Sequence, residues 1–185
     1  ITIAGQEYST SERQLELENM GLTDEDIQDL QYMVNLTRLN LSGNNITDLS
    51  PLAGLTRLSD LRLQGNDITD VSPLADMTRM EYIDLRDNPN LADLTPLAGL
   101  TNMEEFDFQD TSVTDLSFLK DWNKMEYLNL EDVGEMDLSV LTGLTGLKHL
   151  YFNGSNNILT DLSFLESMTQ LEELYFWGYF EELDL

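Results

Sequence analysis

The stretch LTRLNLSGNNITDLSPLAG, residues 36–54, is followed by LSDLRLQGNDITDVSPLAD, residues 58–76. Twenty-two residues separate Leu36 from Leu58, Leu39 from Leu61, Asn44 from Asn66 and Pro51 from Pro73. Self-similarity at a fixed period of this length marks a chain built of stacked, equivalent units. The next copy, MEYIDLRDNPNLADLTPLAG, carries one extra residue near Pro89, and three more follow from Met103, Met125 and Leu147. A partial copy, LELENMGLTDEDIQDL, opens the repeat region, and LEELYFWGYFEELDL breaks off inside a copy.

Within each copy, Leu39 and Leu41 alternate with Asn40, the period of a short strand with one buried face. One such strand cannot bury that face alone, whereas stacked copies make a continuous parallel sheet. Asn44, Asn66 and Asn88 fall where the chain turns inward, and a buried amide there can serve backbone groups of neighbouring turns. The DLSPL segments return along the opposite side as short 3₁₀ pieces, with Leu49, Leu52 and Leu55 pointing into the core. At the N-terminal end, LTDEDIQDLQYM reads as a short helix with Thr23 as N-cap, acidic residues in its first turn, and Ile27, Leu30 and Met33 or Val34 on one face. The cluster Asp24, Glu25, Asp26 and Asp29 lacks the spacing of a calcium loop and is assigned to helix-start chemistry.

The pattern LxxLxLxxNxI is that of leucine-rich repeats. With its TDLSPLAGL half, it resembles the 22-residue internalin-type repeats of bacterial surface proteins, over residues 14–185 and most closely from Leu36 to Leu100. The fold expected is an α/β solenoid: a leucine-rich-repeat horseshoe with a concave parallel sheet, convex loops, short 3₁₀ helices and a short N-terminal capping helix. Residues 1–35 form the N-terminal segment, first partial repeat and capping helix, and residues 36–185 one continuous solenoid whose last repeat is incomplete. The resemblance implies a protein-binding module at the bacterial cell surface or in the extracellular medium, with a cytoplasmic location less favoured.

Composition narrows the function classes. The chain has 185 residues, 35 acidic against 9 basic side chains, a net charge of −26 and no cysteine. Nucleic-acid binding is disfavoured, because phosphate neutralisation needs clustered Lys and Arg. A basic partner would be steered inward. No apolar run is long enough to span a membrane, so membrane insertion by this segment is not expected. A cysteine nucleophile is excluded, a Ser-His-Asp triad would have to use the lone His149, and no metal or cofactor motif is present. We therefore expect no catalysis, no metal and no cofactor.

The repeat decays toward the C-terminus. The asparagine column continues as Thr111, Val133, roughly Ser155 and about Tyr179, while Pro51, Pro73 and Pro96 give way to Phe118, Val140 and Phe164. Phe106, Phe108, Trp122, Phe152 and Phe176 take leucine positions. Drift in a tolerant repeat accounts for this, as does reshaping of the loops at 131–137 and 153–159 toward a ligand.

The register assigns the outward side chains of the concave sheet. Arg38, Arg62 and Arg86 step across it as a diagonal beside Asp60 and Asp84, either an ion-pair network or a set of anchors for a partner's carboxylates. Tyr127, His149, Tyr151, Tyr175 and Trp177, with Tyr82 further along, form an aromatic group of the kind that carries binding energy at interfaces. Leu174 and Phe176 are assigned to the core. The leading function is a concave surface for a protein partner of basic character. A carbohydrate-binding face and an intracellular regulator docking on an enzyme remain open, as does a homodimer through an exposed C-terminal edge.

Overall fold

In the computed structural model, which describes residues 1–130, 137–154 and 162–178 (side chains excepted at 152–154, 177 and 178), every copy of the repeat contributes one short strand. The strands are β3 (Gln14–Glu16), β4 (Arg38–Asn40), β5 (Asp60–Arg62), β6 (Tyr82–Asp84), β7 (Glu105–Asp107), β8 (Tyr127–Leu130), β9 (His149–Gly154) and β10 (Glu173–Gly178). They form one parallel sheet in strict sequence order, and the register carries Arg38 to Asp60, Tyr82, Glu105, Tyr127, His149 and Glu173. Each strand's flanking leucines point inward: Leu39, Leu41, Leu61, Leu63 and their equivalents are buried. Leu49, Leu52 and Leu55 meet them from the convex limb.

The buried asparagines tie one repeat to the next. The Asn66 Nδ2 donates to the carbonyls of Leu41 in the preceding repeat (3.0 Å) and Leu63 in its own (2.9 Å), and its Oδ1 accepts from the Ile46 N–H at 3.1 Å. Asn88 repeats the pattern with Leu63, Leu85 and Ile68, and Asn44 with Leu17, Leu41, Met20 and Leu22. The residue before each asparagine sits in the left-handed region: Gly43 and Gly65 at φ 66°, Asp87 at 55°, and Asp110 at 53° before Thr111. At Gly43 the constraint is double, because a Cβ would also collide with the Asn19 side chain. Among the described residues the Thr111 side chain makes one bond, its hydroxyl donating to the Phe108 carbonyl of its own repeat at 2.7 Å. The later positions Val133, Ser155 and Tyr179, and the loops at 131–136 and 155–161, lie outside the described residues.

Convex 3₁₀ turns run over Gln28–Tyr32, Ser50–Leu52, Ser72–Leu74, Thr95–Gly99, Ser117–Asp121, Leu138–Gly143 and Ser163–Ser167. An aspartate two residues ahead of a Ser or Thr starts several of them: Asp48, Asp70, Asp93, Asp115 and Asp137 each accept from the backbone N–H of Ser50, Ser72, Thr95, Ser117 and Ser139. Part of the acidic charge is thus turn chemistry.

The N-terminal end differs from expectation in detail. The helix foreseen after Thr23 is the 3₁₀ turn Gln28–Tyr32, the convex limb of the first repeat, and Ile27 rather than Thr23 stands at its N-cap. Thr23 instead donates its N–H and hydroxyl to Asp26, while Asp24 accepts from Thr47 and Asp48 in the next repeat. Side-chain bonds to the backbone donors of Thr23, Thr47 and Asp48 fix these two carboxylates in place. Met33 is the buried partner of Ile27 and Leu30, and Val34 is exposed. Over this end lies an antiparallel hairpin, β1 (Thr2–Ile3) and β2 (Gln6–Glu7), which buries Ile3 completely.

In the middle, larger rings replace leucines without breaking the core. Phe106, Phe108, Phe118 and Trp122 are buried and stack or meet edge to face at centroid distances of 5.2–6.1 Å. At the far end the expectation for Leu174 fails: it is 46% exposed, and Phe176 is only half-buried. Both border an apolar cavity of about 160 Å³ with Leu141, Leu150, Leu162 and Phe164, so among the described residues the inward face of β10 is incompletely filled.

The asparagine bonds predict a contrast between two substitutions. Asn66→Ala strands the buried groups of Leu41, Leu63 and Ile46 and should lower unfolding free energy by about 3 kcal/mol. Thr111→Ala forfeits one local bond and should lower it by about 1 kcal/mol. Urea denaturation of both variants measures the difference; equal losses would contradict the bridging role.

Candidate functional site on the concave face

The outward residues of the sheet divide into two chemically distinct halves. Over β4–β6 the arginines are engaged within the fold. Arg38 and Arg62 share Asp60, with Nε–carboxylate distances of 3.0 and 3.2 Å, although the Arg38 Nε contact lacks hydrogen-bond alignment. Arg86 grips Asp84 with two nitrogens at 2.9 and 2.6 Å, and that pairing holds its guanidinium pKa well above the ordinary value. The Arg62 guanidinium also lies over the Tyr82 ring, 5.3 Å from its centroid. Burial, with Asp84 and Asp107 nearby, pushes the Tyr82 phenol up to about 12. The surface dips here into an open depression of about 500 Å³, lined by Arg38, Asp60, Arg62, Tyr82, Glu104 and Glu105 among others.

Over β8–β10 the structure assembles a file of aromatic rings. The centroids of Tyr127 and Tyr151 are 5.3 Å apart, those of Tyr151 and Tyr175 6.2 Å, and His149 lies 6.4 Å from Tyr127. Parallel register makes the file: Tyr151 pairs with Tyr175 across β9 and β10, and His149 with Tyr127 across β8 and β9. Tyr151 donates its hydroxyl to the Glu173 Oε2 at 2.7 Å, and His149 Nδ1 stands 3.4 Å from the same oxygen. Those two contacts, the tyrosine's first, hold the Glu173 carboxyl below the usual carboxylate range. Tyr175 is 48% exposed. The side chain of Trp177 lies outside the described residues.

Between the two halves stands β7, whose outward residues are Glu105 and Asp107. Burial, then repulsion from Asp84 and Glu105, pushes the Asp107 carboxyl above its usual range, although Arg86 opposes the shift. The sequence signal was present in the register, where Asp107 follows Asp84 in one column and Glu105 falls between Tyr82 and Tyr127 in the other. Among the described residues, no three or more His, Asp or Glu side chains are arranged to hold a metal ion, and no helix is long and apolar enough to cross a membrane.

Comparisons with known proteins place this geometry in context. A family model described as leucine-rich repeats in two copies matches residues 34–69 and 56–99. The crystal structure of internalin C2 from Listeria monocytogenes superposes with a TM-score of 0.83 at 32% identity, covering 93% of this chain and 74% of that one. Internalin F from the same organism gives 0.68 at 26% identity, covering 92% and 62%. The ectodomain of the Arabidopsis receptor kinase HAESA, solved in complex with an N-terminally extended IDA peptide hormone ligand, shares the fold at 21% identity and a TM-score of 0.69, covering 83% and 28%. A comparison with curated proteins returned no match.

Asp107 gives the site a measurable signature. A carboxyl that holds its proton more tightly when folded than when unfolded adds stability below its unfolded pKa and loses it as pH rises through its folded one. Asp107→Asn should therefore raise the melting temperature at pH about 7 and leave it nearly unchanged at pH about 3, where the unfolded carboxyl is largely protonated as well. Calorimetry at the two pH values checks this; a loss at neutral pH, or an equal gain at both, would contradict it.

Proposed function

The chain belongs to the internalin-type family of leucine-rich-repeat proteins, and from that premise we propose that it is a non-catalytic module of a bacterial surface or secreted protein. Its partner is a protein, bound on the concave face. The observation that carries the proposal is the tyrosine file of Tyr127, Tyr151 and Tyr175, set side by side on one face of a rigid sheet. Rings of this kind offer large contact area with little rotamer entropy to lose, and tyrosine is enriched where binding energy concentrates. The HAESA ectodomain, with the same fold, was solved holding a peptide, which supports the use of such a scaffold for protein ligands.

Position on the face supports a division of labour. Arg38, Arg62 and Arg86 already satisfy Asp60 and Asp84, so their main role is to keep the N-terminal half of the sheet rigid and electrically balanced. The tyrosines, with Tyr82 as an outlying member and His149 as a neighbouring contact, form the adhesive half. The net charge of −26 favours a basic partner and speeds its encounter at low salt.

The exposed Leu174 on β10 favours a second reading, in which two copies pair through that strand. Repulsion between two such acidic chains opposes it, so sedimentation at low salt should show a monomer.

The test of the main reading is a partner recovered from host or bacterial surface extracts and remeasured against variants. Tyr127→Ala and Tyr151→Ala should each weaken binding roughly thirtyfold, the equivalent of a 2 kcal/mol hot spot. Arg86→Ala should change it little. Undiminished binding by both tyrosine variants, with circular dichroism showing them folded, would overturn the proposal; binding that survives high salt and is inhibited by neutral glycans would favour a carbohydrate ligand instead.

A further inference from the structure

Resting on the concave-face reading above, we infer that the surface over β7–β10 is a receptor for an extended basic segment of a partner protein. The segment crosses the strands, and alternate Lys or Arg side chains lie on the tyrosine rings with their charges against the neighbouring carboxylates.

The first support is the imbalance between the two halves of the face. Over β4–β6 each outward aspartate has an arginine within ion-pair distance. Over β7, none of Glu104, Glu105 and Asp107 is in an ion pair among the described residues. Lys148, the lysine on β9's approach, is already committed to Glu126 at 2.7 Å. Among the described residues this part of the sheet therefore has tyrosines and carboxylates outside any ion pair, with Arg86 of the β6 repeat acting on Asp107 without pairing with it.

The second support is a template within the molecule. Arg62 places its guanidinium over the Tyr82 ring while its nitrogens hold Asp60. One strand further, the register repeats ring and carboxylate: Glu105, in no ion pair among the described residues, stands between Tyr82 on β6 and Tyr127 on β8. Across two strand spacings, about 9.6 Å, the two rings flank the carboxylate. A planar guanidinium fits that arrangement, stacking on a ring while its edge faces the carboxylate.

Spacing supplies the third support and sets the direction. The ring centroids step by 5.3 Å from Tyr127 to Tyr151, one strand over and two positions along, and by 6.2 Å from Tyr151 to its register partner Tyr175. In an extended chain, side chains on the same face recur about every 6.7 Å, two residues apart. A segment lying along the file therefore presents every second side chain to successive rings, so a basic residue at alternate positions matches the surface. The half-buried Asp107, disfavoured as a charge by burial and by its acidic neighbours, would be relieved by a cation placed there.

The probe is a short synthetic peptide alternating arginine and serine, titrated by calorimetry against the whole chain at low and moderate salt. The peptide should bind, and Tyr127→Ala or Tyr151→Ala should weaken it at least tenfold, whereas Tyr127→Phe retains the ring and should bind as wild type. Glu105→Gln with Asp107→Asn should weaken it more than tenfold. Asp121→Asn with Asp76→Asn makes the same charge change on the convex side and should have less than a twofold effect. Equal losses from the concave and convex pairs would reduce the interaction to general attraction by an acidic protein and overturn the inference, as would indifference to the tyrosines. If a natural partner depends on Tyr151 but not on Glu105 and Asp107, the basic-segment inference falls while the concave-face function stands. If that partner ignores both sets, the functional reading itself falls.

Discussion

A buried carboxamide at each inward turn is the constraint on which the structure depends. A strand of three residues cannot hold a fold together, and every turn between strand and convex limb leaves backbone groups inside the core. Asn44, Asn66 and Asn88 satisfy those groups, and each joins two consecutive repeats through one planar side chain. The amide offers donors on one edge and an acceptor on the other, which fits carbonyls and N–H groups facing the same pocket. Once the turns are fixed, the strands fall into register and the leucine positions follow. The left-handed residue before each asparagine is the local consequence, accommodated by glycine at 43 and 65 and by aspartate at 87 and 110.

Fixed register is also what makes a surface out of isolated side chains. Residues 22 or so apart in sequence become neighbours about 4.8 Å apart across the sheet, so a column of outward positions acts as one strip. Over β4–β6 that strip is filled by arginines and aspartates that satisfy each other. Over β8–β10 it is filled by tyrosines, with β7 supplying carboxylates between. The same backbone thus holds one half of arginine–aspartate pairs and another of tyrosine rings around the Glu173 carboxylate. Asp107 adds energetic weight to that division, because the fold holds its charge at a disadvantage.

The repeat was legible in the sequence because period and residue type point the same way at Leu39, Leu41, Asn44 and Leu52, and each of these is where the pattern put it. The outward columns, including the Tyr151–Tyr175 and Tyr127–His149 pairs, were legible for the same reason. Thr23 was misassigned because a threonine followed by acids also fits an α-helical start, whereas Asp24 and Asp26 are consumed by bonds to Thr47, Asp48 and Thr23. The hairpin over Ile3 carries no repeat signal. Leu174 followed the pattern inward, but an inward direction buries a side chain only where something packs against it, and among the described residues it borders an unfilled cavity. The significance of Asp107 was hidden because it arises from burial and neighbouring charge, neither of which a single position reveals.

If the asparagine bridges bind the repeats into one cooperative body, protection of the backbone should follow them. Native-state amide hydrogen exchange, read residue by residue, tests this directly. The N–H groups of Leu22, Ile46 and Ile68, each donated to an asparagine Oδ1, should exchange only by global unfolding, while those of β10 beside the exposed Leu174 exchange at lower free energy. Exchange of Leu22, Ile46 and Ile68 through local opening, with β10 the most protected strand, would contradict the account.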